Sequence, residues 1–154
     1  QVERGCEVPR AKAMQALFRD RAFWAHGVMC AEAQSGHGTV YAYRNDIVFP
    51  LLKLAGLGAM HGSDLGTALN TATGALNMAS IGTPKKRKAI LHGYVHGAWV
   101  NFARTGNPNG TIPVKWEPYE PKTRKTMIFN DNCTVEMNPR AEALELWKGI
   151  ELYK

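Results

Sequence analysis

Cysteine is scarce in this sequence: Cys6, Cys30 and Cys133 stand at irregular spacing, with no C-x-x-C pair among them. An odd, scattered set excludes a self-contained disulfide framework and offers no zinc site. No apolar run reaches membrane length, so no spanning helix and no membrane partner are expected. The first residues carry neither the apolar core of a signal peptide nor an amphipathic leader pattern, and Gln1 is not an initiator residue. The sequence is therefore expected to begin inside a longer protein. Internal repeats and low-complexity segments are also missing.

What is present suits a globular protein. Of the 154 residues, 45% are hydrophobic, and the length by itself would fit one domain. The formal charge of +6 would suit an anionic partner, but a balancing acidic segment elsewhere in a longer protein is the plainer reading. The run Pro84-Lys85-Lys86-Arg87-Lys88 resembles a basic recognition patch. No aromatic residues alternate with its charges as a single-strand groove would need, so it reads as a solvated helix face and no nucleic-acid partner is expected.

Periodicity divides the chain into recognisable elements. Arg19 to Gln34 predicts a helix with Asp20 in its first turn, Trp24, Val28 and Ala31 on one face, Cys30 as a small core residue, and Gly36 past its end. Thr39 to Arg44, rich in β-branched and aromatic residues, predicts a buried strand. Asn45 to Gly58 cannot hold a regular element for long, and Asp64 to Leu76 predicts a short helix weakened by Gly66 and Gly74. The longest helix is expected after an N-cap at Thr83 with Pro84 at the first helical position. Its core stripe is Leu91, Val95, Ala98 and Phe102, and Gly106 ends it. Four prolines between Gly106 and Lys125 mark a surface excursion anchored by Trp116 and Tyr119. Short strands at Thr126–Phe129 and Thr134–Met137 flank an Asp131-Asn132 turn, and a last helix, about Ala141 to Leu152, turns Leu144, Trp147 and Ile150 inward.

Leu57-Gly58-Ala59-Met60-His61-Gly62-Ser63-Asp64-Leu65 sets a histidine between small residues in a glycine-rich loop after a strand. Such a loop can present an unhindered imidazole; on the loop alone, a plain surface histidine fits as well. His92 and His96, four apart on the long helix, could share a metal, but Gly93 replaces the glutamate of H-E-x-x-H and no third ligand is near in sequence. They read as packed side chains beside Trp99, and no metal site is expected.

Two segments in order, the His61 loop and Trp99-Val100-Asn101-Phe102-Ala103-Arg104-Thr105-Gly106-Asn107-Pro108-Asn109 followed by Trp116-Glu117-Pro118-Tyr119, resemble the C-terminal part of the type-B carboxylesterase and cholinesterase family. The resemblance runs from about Phe18 to Trp147. It implies an α/β class, with this chain the C-terminal portion of a single α/β-hydrolase domain completing a sheet mostly supplied by an N-terminal segment. It maps the family's catalytic histidine onto His61, supported by Gly58, Gly62 and Asp64, with Met60 and Leu65 as pocket residues. Asp64, three residues from His61 on the same loop, would cap the following helix or order the loop rather than serve as the triad acid.

Enzymes of that fold carry their nucleophile on G-x-S-x-G and order the triad serine, acid, histidine. No such pentapeptide occurs; Met78-Ala79-Ser80-Ile81-Gly82 lacks the first glycine. The resemblance thus implies carboxylic ester hydrolysis through an acyl-serine, with no metal or organic cofactor. A companion N-terminal chain or segment would bring the serine, the acid and the oxyanion hole to a small-molecule ester. The alternative is a cholinesterase-like interaction domain that kept the fold without activity. The disulfide of secreted animal relatives would need cysteines near Phe23 and Leu144, which are absent; this leans toward a microbial enzyme, with the cytoplasm slightly favoured over secretion.

Overall fold

The computed structural model describes residues 10–71, 80–148 and 150. A long helical segment comes first: α1 (Arg10–Arg19), a π-helical turn (Asp20–Trp24) and α2 (Ala25–Ser35). Strand β1 (Ala42–Asn45) follows, then the short helices α3 (Pro50–Leu54) and α4 (Leu65–Ala68). The long α5 (Lys85–Thr105) leads through the proline-rich excursion to β2 (Thr126–Phe129), β3 (Thr134–Glu136) and α6 (Ala141–Lys148). Among these residues no helix is long and apolar enough to cross a membrane.

The three strands form one mixed sheet in the order β1-β2-β3. β1 runs parallel to β2, with Tyr43 opposite Met127, and β2 runs antiparallel to β3, with Met127 opposite Val135. The tight turn between β2 and β3 is organised by Asn130, whose Oδ1 accepts the Asn132 and Cys133 amides at 3.0 and 2.8 Å. This is an Asx turn one residue earlier than the Asp131-Asn132 dipeptide suggests. β2 lies in the middle and is the most buried strand; Met127 and Phe129 pack with Ile47, Leu91, Val95 and Trp116 in the core. Proline in the excursion between α5 and β2 prevents a further strand, and Trp116 and Tyr119 bury their rings as anchors, 4% and 5% exposed.

Several expectations need correction. The first helix begins upstream at Arg10, so Asp20 lies inside it. β1 starts at Ala42, the Val40 carbonyl being taken by the Tyr119 amide rather than by a strand, and its four residues are half-buried. Thr83 makes no capping bond; Pro84 holds the cap position, and its carbonyl accepts the Lys88 amide. Leu91, Val95 and Ala98 are buried, but Phe102 is 45% exposed and meets only the edge of Tyr41. Leu144 and Trp147 turn inward, whereas Ile150, two residues beyond the last helical one, is 39% exposed. Cys30 is exposed on α2 and is no core residue. Cys6, the 72–79 part of the Asp64–Leu76 helix and the end of the last helix lie outside the described residues.

Two ion pairs fasten the first helical segment to the rest. The Asp20 carboxylate, buried, receives both terminal nitrogens of Arg140, whose guanidinium also lies 4.9 Å from the centre of the Trp24 ring. Glu32 pairs with Arg124 at 2.7 Å. In an unbroken α-helix Asp20 and Glu32 would point about 120° apart, at ~3.6 residues per turn. The π-turn, closed by an amide of Ala25 on the Asp20 carbonyl, takes up one extra residue and reduces the difference to about 20°. Both carboxylates can then face the arginines.

Removing Arg140 would leave the buried Asp20 carboxylate with only the 3.3 Å contact of the half-exposed Arg19 Nε. Arg140→Ala is expected to destabilise the fold by about 3 kcal/mol, with Arg140→Lys recovering only part because an ammonium cannot make the two-pronged contact. The denaturation midpoint of the two variants checks this, and a midpoint equal to wild type would contradict it.

Candidate functional site

The loop carrying His61 is built from left-handed turns. Gly56, Gly58 and Gly62 have φ of 70°, 64° and 76°. An added Cβ at Gly58 would meet nothing within 4 Å, and at Gly62 only Leu65 Cδ1 at 3.5 Å. Backbone sign, not space, therefore calls for glycine at these two positions. The Ser63 amide bonds to the Met60 carbonyl at 3.1 Å, and the Asp64 carbonyl opens α4 by accepting the Ala68 amide at 2.8 Å.

Side chains of β1 hold this loop to the sheet. Tyr43 and Asn45 are two apart and so share one face of the strand. The Tyr43 hydroxyl donates to Asp64 Oδ2 at 2.8 Å, and the Asn45 amide donates to Ser63 Oγ at 3.1 Å. Asp64 stands at the cap position of α4 but makes no side-chain capping bond; it orders the loop instead. The Tyr43 phenol is pushed above its usual range, first by burial and then by the charge and hydrogen bond of Asp64.

His61 follows directly from this anchoring. It is exposed, and its ring stacks on Phe23 of the π-turn at 3.8 Å between centroids and 11° between planes. Met60, His61, Asp64 and Leu65 line one wall of an open cleft of about 1130 Å³, with Phe23 and Tyr43 among the residues of the other walls. Met60 and Leu65 are 47% and 48% exposed, so both offer apolar surface to the cleft. The six sequence-derived site residues thus lie on one segment, from Gly58 in a left-handed turn to Leu65 at the start of α4. An exposed imidazole beside an apolar wall can accept a proton from a hydroxyl placed in the cleft and return it.

His92 and His96 behave differently. Their rings stack on each other at 4.8 Å, and His96 Nδ1 lies 2.8 Å from the Ala68 carbonyl. Stacked faces do not converge on one ion, and among the described residues no three metal-ligating side chains cluster. Burial, with a smaller contribution from His96, lowers the His92 pKa. The basic run opens α5 with Lys85 and Lys86 exposed, while Arg87 turns to Asp131 at 2.5 and 3.1 Å.

Tyr43, Asn45 and Phe23 were not singled out by sequence reasoning. The i, i+2 pair of polar tips in β1 was a signal that could have found the first two. Phe23 had none, because its direction depends on the π-turn.

The model of the Carboxylesterase family matches residues 3–147. The para-nitrobenzyl esterase of Bacillus subtilis is 33% identical over 135 residues, covering 87% of this chain and 27% of that protein. Among solved structures, the Geobacillus stearothermophilus carboxylesterase superposes with a TM-score of 0.78 at 25% identity, over 94% of this chain and 29% of that one. A PNB esterase gives 0.75 at 31% identity, over 84% and 26%. The chain spans about a quarter of the length of each. Its three strands and helices are a portion of the α/β-hydrolase fold.

The Tyr43 to Asp64 bond has a testable strength. Tyr43→Phe is expected to cost about 1.5 kcal/mol, the low end for a bond to a charged group. Amide exchange over residues 61–65 would then quicken roughly tenfold, and unchanged exchange would contradict the anchoring. The unfolded phenol ionises near 10, so its stabilisation is complete below that pH and is lost as the pH rises through the raised folded value. Tyr43→Phe is expected to abolish that alkaline loss in a pH series of unfolding midpoints.

Proposed function

The chain belongs to the carboxylesterase family, and on that premise we propose that it supplies the histidine of a serine-histidine-acid triad that hydrolyses carboxylic esters. The observation that carries the reading is the His61 imidazole, exposed at the cleft wall on a loop bound to β1 through Tyr43 and Asn45. Asp64, engaged by Tyr43 and three residues from His61 on the same loop, is assigned to ordering that loop, and the triad acid to another segment. No G-x-S-x-G occurs in the 154 residues, and the serine and the oxyanion donors are assigned with the acid to a companion segment of the same α/β-hydrolase domain.

Two features support a companion. Among the described residues β1 pairs with β2 alone, which leaves its other edge with backbone groups for a further strand. Large apolar side chains are also uncovered, with Phe18 68%, Leu54 85% and Leu69 56% exposed.

In the proposed reaction His61 takes the proton of the serine hydroxyl as its oxygen adds to the ester carbonyl. The tetrahedral oxyanion collapses, the bond to the alcohol oxygen breaks, and His61 gives its proton to the leaving alkoxide. A water molecule then loses a proton to His61 as it adds to the acyl-serine. Collapse breaks the bond to the serine oxygen, which recovers the proton, and the acid departs. The acyl and alcohol specificity rests on pocket shape, to which Met60 and Leu65 contribute apolar surface.

The test is hydrolysis of a short-chain p-nitrophenyl ester by the protein with everything that co-purifies, sequenced, before and after His61→Ala. A companion bearing G-x-S-x-G, with activity reduced at least ~10²-fold, is the expected result. Activity indifferent to His61, or no companion and no activity, would contradict the proposal and leave the interaction domain.

A further inference from the structure

We infer that Phe23 is a positioning residue for the His61 imidazole, fixing the plane of the ring that exchanges the proton. The inference rests on the catalytic role proposed for His61. Hydrogen bonds hold the loop backbone and its neighbours Ser63 and Asp64, but none is formed by the His61 ring among the described residues; the partner found for that ring is the face of Phe23. A side chain on an exposed loop can rotate about two bonds, and a proton-transfer group that rotates is in reach of its hydroxyl only part of the time. The nearly parallel stack, 3.8 Å between centroids, removes most of those orientations.

Phe23 is itself held from two directions. Phe18 meets it edge-on at 6.2 Å and 81°. The π-turn that carries it is pinned by Asp20 to Arg140, while Arg140 covers the Trp24 ring next to Phe23 in sequence. Shifting the helix register by one residue would swing Phe23 by about 100° and take it off the imidazole. A π-turn in a helix is costly in geometry and is common at functional sites; here it serves the carboxylates and the aromatic ring together.

The experiment uses the assembled enzyme, labelled with ¹³C at histidine, with p-nitrophenyl acetate as substrate. The His61 ring protons, identified by their absence in His61→Ala, should be shifted upfield by the Phe23 ring current. In Phe23→Leu that shift should vanish and kcat fall about threefold to tenfold, the factor matching an ordinary aromatic pair, with KM within about twofold. Phe23→Tyr, which keeps the ring, should restore both. If Phe23→Leu does not fold, Phe18→Leu takes its place and should reduce the shift and kcat together. An unshifted His61 in wild type, or a shift lost with kcat unchanged, overturns the inference; so does failure of Phe23→Tyr to restore kcat. Activity indifferent to His61→Ala instead overturns the base assignment beneath it, so the two failures are told apart.

Discussion

The bond from the Tyr43 hydroxyl to the Asp64 carboxylate is the constraint on which the site depends. A mostly buried phenol needs an acceptor and a half-buried carboxylate needs a donor, and each satisfies the other. Tyr43 cannot yield in this exchange. Its ring meets Trp99, Trp116 and Phe129 edge-to-face at 6.3, 6.0 and 5.3 Å, so the sheet, α5 and the proline-rich excursion all fix where its oxygen stands. Asp64 is thereby placed, Asn45 places Ser63 beside it, and His61 is carried two residues away on a backbone that only glycine follows easily at Gly58 and Gly62.

A second set of forces keeps the first helical segment against that frame. Arg124 and Arg140 both have left-handed backbones, with φ of 45° and 59°. Such geometry is unfavourable for a long side chain, and charge-assisted bonds to Glu32 and Asp20 offset it. The same reasoning explains Arg87. Four basic residues at the start of α5 oppose the helix dipole, and pairing Arg87 with Asp131 relieves part of that opposition while tying the helix to the β2–β3 turn. At these positions charge fastens one element to another.

Much of the fold was legible because periodicity reports which side chains share a face. Leu91, Val95 and Ala98 were read as one buried stripe, Gly106 as the end of α5, and Trp116 and Tyr119 as anchors, and so they stand. Phe102, Ile150 and Cys30 were misread because a face known from spacing is buried only if something lies over it, and spacing does not say what does. The loop was legible as a unit from its glycines and its single histidine. Its fastening was not, since Tyr43 and Asp64 meet across the turn of chain that separates them. The π-turn was illegible for a deeper reason: it answers to Arg140, far along the chain, so no local window contains its cause.

The catalytic role proposed for His61 stands or falls on where its ring lies relative to the nucleophile. The direct measurement is a crystal structure of this chain joined to the segment proposed to carry the serine, with that serine trapped by a phosphonate ester. The expected result is a His61 ring nitrogen ~2.6–3.2 Å from the serine oxygen, with the loop still bonded through Tyr43 to Asp64. A His61 ring turned away from that serine, with another base in hydrogen-bond reach of its oxygen, would contradict it.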